Sequence, residues 1–142
     1  GVVRCSRNES LALRLAELAT GIGEVFDEND VEVVAVEQIY SHYHRPRTGI
    51  LMAHARGVLL LEAARRDCRI LNLPATTVKK HLTGSGHARK DQVQRAVAQV
   101  LGLEQAPEPA DVADALAIAY CTSHLIQQPP KEAFVNDNLL SR

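Results

Sequence analysis

Three carboxylates stand out by position. Glu37 closes the β-branched, nearly all-apolar run of residues 31–36, and open α/β sheets bind their ligands beyond the carboxyl ends of strands. Asp111 and Asp114 are three residues apart at a predicted helix start, which puts them on one helix face with Cβ atoms about 5–6 Å apart. Plainer readings exist: a strand-end glutamate turned to solvent, and two aspartates complementing a helix dipole. The Ala-Leu-Ala-Ile-Ala run behind Asp114 is small and apolar, and carboxylates crowded in a partly dry site repel one another unless a cation neutralises them. Three convergent carboxylates suit a hard cation such as Mg²⁺, which takes oxygen ligands and keeps positions for water or phosphate oxygens.

Basic residues supply the complementary chemistry. Arg45, Arg47, Lys79, Lys80, Arg89 and Lys90 lie in predicted loops and helix starts, where they reach phosphates without being locked in a core. Tyr40 and Tyr43 interleave with His42, His44 and Arg45 just after Glu37. Such a ring either packs as a lid or stacks on an unpaired base, which contributes about 1–3 kcal/mol per base. The Thr83-Gly84-Ser85-Gly86 segment is neither a P-loop nor a dinucleotide fingerprint. Its glycines permit a tight turn close to a nucleic-acid strand or a plain turn between helices.

The elements that must position these groups follow from periodicity. Residues 2–4 read as a short strand, and Ser10 is an N-cap for a helix over 11–26 whose Leu11, Leu15, Leu18, Ile22 and Val25 recur at spacings of three and four. Residues 31–36 read as a strand buried on both faces. A helix over 47–66 carries Ile50, Leu51, His54, Val58 and Leu61 along one stripe. A second short strand over 68–73, then helices over 75–82, 89–101 and 111–123, complete the series, with Pro107 and Pro109 stiffening the last linker. Strands alternating with helices predict an α/β domain with a mostly parallel sheet over residues 1–125, followed by a tail over 126–142.

Composition narrows the class. With 142 residues, 46% hydrophobic and 23% charged, the chain is an ordinary globular domain rather than a disordered or rod-like segment. The net charge of -1 conceals a split: residues 41–100 hold 11 Lys/Arg against 3 Asp/Glu, while 1–40 hold 3 against 8 and 101–142 hold 2 against 6. Five of the six histidines also fall in the middle block. A basic face of this kind suits a polyanionic partner. No apolar run approaches the ~18 residues of a membrane span, and three widely spaced cysteines without a C-x-x-C pair point to reduced packing residues of a cytoplasmic protein.

Five ordered blocks then carry a resemblance over about residues 1–123. Val36-Glu37-Gln38-Ile39-Tyr40, His54-Ala55-Arg56-Gly57, Val78-Lys79-Lys80, Lys90-Asp91-Gln92-Val93-Gln94 and Ala110-Asp111-Val112-Ala113-Asp114-Ala115-Leu116-Ala117-Ile118-Ala119 resemble the bacterial RuvC Holliday-junction resolvases. The resemblance implies a ribonuclease H-like fold and a homodimer that makes paired nicks in four-way DNA junctions with Mg²⁺ or Mn²⁺, leaving a 5′-phosphate and a 3′-hydroxyl. It also implies work beside a branch-migration helicase complex. It makes Glu37, Asp111 and Asp114 three of four metal-binding acids, Tyr40 the aromatic that inserts at the junction centre, Lys79 and Lys90 contacts near the scissile phosphate, and the helix holding Arg56 and Gly57 the one that pairs subunits. The family's first aspartate, in a G-x-D-P-G-type strand, has no counterpart in these residues. The expectation is therefore a fold lacking its first two strands, with an apolar sheet edge exposed and cleavage impaired. The alternative is a junction-binding module without chemistry.

Overall fold

The computed structural model describes residues 1–39 and 46–127. Seven elements follow in order: α1 (Leu11–Glu28), β1 (Val33–Glu37), α2 (Pro46–Ala64), β2 (Arg69–Leu73), α3 (Ala75–Thr83), α4 (Lys90–Val100) and α5 (Ala110–Gln127). The two strands pair with each other. Arg69 N–H donates to the Glu32 carbonyl at one end, and Gln38 N–H donates to the Leu73 carbonyl at the other, at 2.8 and 3.0 Å. Both strand numbers rise together between these bonds, so the pair is parallel and needs the helical crossover that α2 supplies. The fold is α/β, as the alternation of periods requires.

The chain divides into two compact units, one of residues 1–34 and 39–70, the other of residues 35–38 and 71 onward. In the first unit, α1 starts where the Ser10 side chain accepts the Leu13 N–H at 3.4 Å. Helix α1 meets α2 and the turn after it through Arg66. Its guanidinium donates to Glu62 Oε2 at 2.7 Å and to Asp27 Oδ1 at 2.8 Å, and lies 5.5 Å from the Phe26 ring centroid. Glu62 is buried and also accepts from Arg65 at 2.8 Å. Hydrogen bonds from both arginines hold its carboxyl below the usual carboxylate range. Gly23 lets the guanidinium come this close, since a Cβ there would stand 3.2 Å from Arg66 Nη2.

One expectation fails in this unit. Residues 2–4 are not a strand. Instead Val3 seats on α1 at Gly21, where a Cβ would come within 2.6 Å of its Cγ1. Local β-branching gave the strand reading, but a strand needs a hydrogen-bonded neighbour, and none among the described residues offers one. Along α2, Ile50 and Leu61 are exposed and, with Ala53, His54, Gly57 and Val58, line an open apolar groove, and Leu51 is exposed too. Leu11 and Val25 at the ends of the α1 stripe are exposed as well.

The second unit has the denser core. Leu73, Val78, Ala88, Val93, Val97, Ala117 and Cys121 form one buried cluster. Helix α5 offers α3 and α4 a flank of Ala113, Ala117 and Cys121, four residues apart and almost fully buried; small side chains there let the helices approach closely. Helix α3 ends at Gly84, whose φ of 79° lets its N–H return to the Lys80 carbonyl at 2.9 Å. A side chain there would strain the left-handed cap, so the Thr83–Gly86 glycines are explained as a turn between helices. Helix α4 opens with Arg89 N–H donating to Gln92 Oε1 at 2.8 Å. Among the cysteines, none of which is paired, Cys5 is half-buried while Cys68 and Cys121 are buried. The predicted tail starts in the last turn of α5, and its residues 128–142 lie outside the described residues.

Candidate active site

Strand β1 is apolar until its last residue because Val34 and Val36 are buried, with Val33 and Ala35 half-buried between them. Glu37 is the first position free to carry charge, and its carboxyl enters a cleft of about 190 Å³. Opposite it, α5 contributes Asp114, one turn before the buried Ala117 that anchors this face. Lys79 from α3 and Lys90 from the first turn of α4 complete the charged wall, over a floor of Val78, Val93 and Ile118. All of these residues belong to the second unit.

The electrostatics are those of a crowded acid pair. Shielding from water raises the Glu37 carboxyl above its ordinary range, the charge of Asp114 adds to the rise, and Lys79 partly offsets it. Lys90 Nζ stands 3.4 Å from Asp111 Oδ1 and 3.6 Å from Asp114 Oδ2. The two aspartates raise its affinity for its proton, Asp114 most. Asp111 lies at the rim, its side chain 88% exposed against 42% for Asp114. The structure thus gathers Glu37, Asp114, Lys79 and Lys90 in one cleft, with Asp111 joined through Lys90.

Among the described residues no group of three or more His, Cys, Asp or Glu is close enough to hold a metal ion. A hard cation such as Mg²⁺ is commonly held by only one or two carboxylates, with water and substrate phosphate completing the shell. Glu37 and Asp114, oxygen donors that crowd each other across a cleft, fit that pattern.

Other candidates are dispersed. Lys80 and Arg89 are exposed on the second unit, and Arg89 lies 3.5 Å from Asp91. Arg47 is exposed in the first turn of α2, in the other unit. Tyr40 and Arg45, with Tyr43, His42 and His44, lie outside the described residues. Several arginines of the basic block are engaged in ion pairs. Arg65 and Arg66 serve Glu62 and Asp27, and Arg95 binds Asp91 at 2.8 Å. Sequence reading also missed that Lys90 bridges two acids more than twenty residues away, for which no local pattern exists. It missed, too, the ring cluster of His81, Tyr120 and His124, with centroids 4.3 Å apart for Tyr120 and His124 and 5.3 Å for the two histidines. The spacing of four between Tyr120 and His124 was the available signal.

Acids at the end of a parallel strand, faced by acids on a later helix and flanked by lysines, place the chain among the ribonuclease H-like α/β proteins. Solved structures agree. The Thermus thermophilus RuvC structure superposes with a TM-score of 0.80 at 31% identity, over 89% of this chain and 76% of that one. The T. thermophilus RuvC in complex with Holliday junction substrate gives 0.79 at 32% identity, over 87% and 74%. The model of crossover junction endodeoxyribonuclease RuvC matches residues 1–122. The chain belongs to that family of endodeoxyribonucleases. Relatives of that name from Rhodopirellula baltica and Legionella pneumophila (strain Philadelphia 1) are 47% and 39% identical, covering 94% and 88% of this chain and 75% and 71% of their own length.

Proposed function

We propose that the chain resolves four-way DNA junctions by metal-dependent phosphodiester hydrolysis in recombination and repair, as a cytoplasmic homodimer working beside a branch-migration helicase. The observation that carries this is the cleft shared by Glu37, Asp114, Lys79 and Lys90 in a member of this family. Glu37 and Asp114, with Asp111 at the rim, would hold Mg²⁺ or Mn²⁺. When bound, the cation stabilises charge on the phosphoryl oxygens and acidifies the attacking water. Lys79 and Lys90 steady the scissile phosphate, Lys80, Arg89, Arg47 and Arg45 follow the backbone, and Tyr40 stacks at the branch point. Two copies pair through the open groove of α2, whose Ile50 and Leu61 are 57% and 50% exposed; apolar side chains so exposed along one face are what an interface buries. No helix among the described residues is long and apolar enough to cross a membrane.

The resemblance implies a fourth acid, which residues 1–142 do not contain. A version extended upstream with a strand bearing Asp-Pro-Gly cleaves fast. The test is cleavage of a labelled four-way junction by both versions with Mg²⁺ and with Mn²⁺; no cleavage by the extended version with either metal refutes the enzymatic reading. A second reading is a junction-binding module without chemistry. That reading predicts salt-dependent binding to four-way DNA with no nicking by either version.

A further inference from the structure

Among the described residues, Lys90 is the one cation paired with both aspartates of α5. Its distances to them, 3.4 and 3.6 Å, exceed the about 2.7–2.9 Å of a strong charge-assisted hydrogen bond. The ammonium therefore serves as a point charge shared between two carboxylates. It is also free to leave: its side chain is 57% exposed, it stands in the first turn of α4, and no core residue has to move with it. Lys79 does not duplicate this arrangement, since its electrostatic partner is Glu37.

We propose that the Lys90 ammonium is the resident counter-cation of Asp111 and Asp114, that a divalent cation displaces it, and that the freed ammonium passes to a DNA phosphate, so that metal and junction load cooperatively. This rests on the metal reading given above. In the free protein two carboxylate charges are half-neutralised by Lys90. A divalent ion held by Glu37 and Asp114 competes with the ammonium for Asp114, because two cations so close repel each other. Without DNA the ammonium goes to water and the exchange works against the metal. With DNA a phosphate receives it. Each ligand then improves the site for the other by the same factor, as linkage demands.

The test uses the full 142-residue chain and Mn²⁺ itself, followed by electron paramagnetic resonance of the free ion. Exposed pairs of this kind change an equilibrium by about two- to fivefold. Lys90→Met, similar in reach but uncharged, is expected to bind Mn²⁺ tighter than the parent by that factor, while Lys90→Arg stays at the parent value. Lys80→Met controls for removing a nearby positive charge and shows a smaller gain. In the reciprocal arm, four-way-junction binding is read by fluorescence anisotropy. In Ca²⁺ the ratio of parent to Lys90→Met affinity rises about two- to fivefold above its value in EDTA. Equal or weaker Mn²⁺ binding by Lys90→Met, or a gain matched by Lys80→Met, overturns the exchange. So does an anisotropy difference independent of Ca²⁺. If Asp114→Asn leaves Mn²⁺ binding unchanged, the metal reading itself falls and takes the exchange with it. If Asp114→Asn weakens binding while Lys90→Met does not alter it, only the exchange falls.

Discussion

Ala117 is the position where packing and chemistry can be separated by experiment. It is 1% exposed, belongs to the buried cluster of the second unit, and lies one turn after Asp114 on the wall of the same cleft. Ala117→Leu adds three carbons that crowd the packed cluster on one side and the cleft beside Asp114 on the other. Overpacking of this kind costs about 2 kcal/mol, and the relief available is for α5 to back away from α3 and α4, carrying Asp114 with it. Val97→Ala is the matched control, since Val97 is fully buried in the same cluster. It loses two methyl groups, about 1.6 kcal/mol by transfer, and the void brings the total to about 2 kcal/mol. Both variants should therefore melt roughly 8 °C lower. They part in function: a reacting group misplaced by about 1 Å costs on the order of 100-fold, so Ala117→Leu loses that much junction cleavage, whereas Val97→Ala stays within about threefold of its parent. The assay is single-turnover cleavage in the upstream-extended version, at a temperature where both variants are folded. Equal losses in the two variants, or full activity in Ala117→Leu, would refute the positioning argument.

Three further outcomes follow from the same structure. Glu37 has its carboxyl raised by shielding and by Asp114. Its ionised form therefore opposes folding above its folded pKa, and Glu37→Gln should raise the melting temperature at neutral pH while abolishing metal-dependent cleavage; calorimetry showing a fall instead would contradict this. Glu62 is depressed by its arginines, so the stability it contributes is present above its unfolded value, about 4.3, and is lost as pH falls through its folded one. Acid melts of Glu62→Gln should accordingly depend less on pH over that interval than those of the parent. Leu61→Asp, on the open groove of α2, should leave the secondary structure unchanged and convert a sedimenting dimer to monomer, and an unaltered sedimentation coefficient would remove α2 from the interface.

Elements with a strong internal period were legible in the sequence. The Leu11, Leu15, Leu18 and Ile22 spacing located α1, and the β-branched run ending at Glu37 located β1, because both patterns are produced by local geometry. Glu37 and Asp114 could be singled out for the same reason: an acid that breaks an apolar strand, and an acid one turn before a small apolar helix. What stayed hidden depends on pairs distant in sequence. The strand reading of residues 2–4 failed because pairing is not a local property. The distant partners of the 41–100 block were hidden too: Arg66 meets Asp27 thirty-nine residues away, and Lys90 meets Asp111 twenty-one residues away. No spacing rule announces such contacts.

The unequal burial of the three cysteines gives the protein a built-in clock. Cys68 donates its thiol to the Val31 carbonyl at 3.1 Å, and Cys121 is wholly enclosed, with its thiol pushed up by burial. Cys5 alone is partly open to solvent. A maleimide dye should therefore attach to the native chain at one position without any engineering. The second and third attachments then wait for each unit to open, Cys68 reporting on the first and Cys121 on the second. Mass spectrometry of the labelled species would time the opening of the two halves separately, in the unmodified sequence and with junction DNA present or absent.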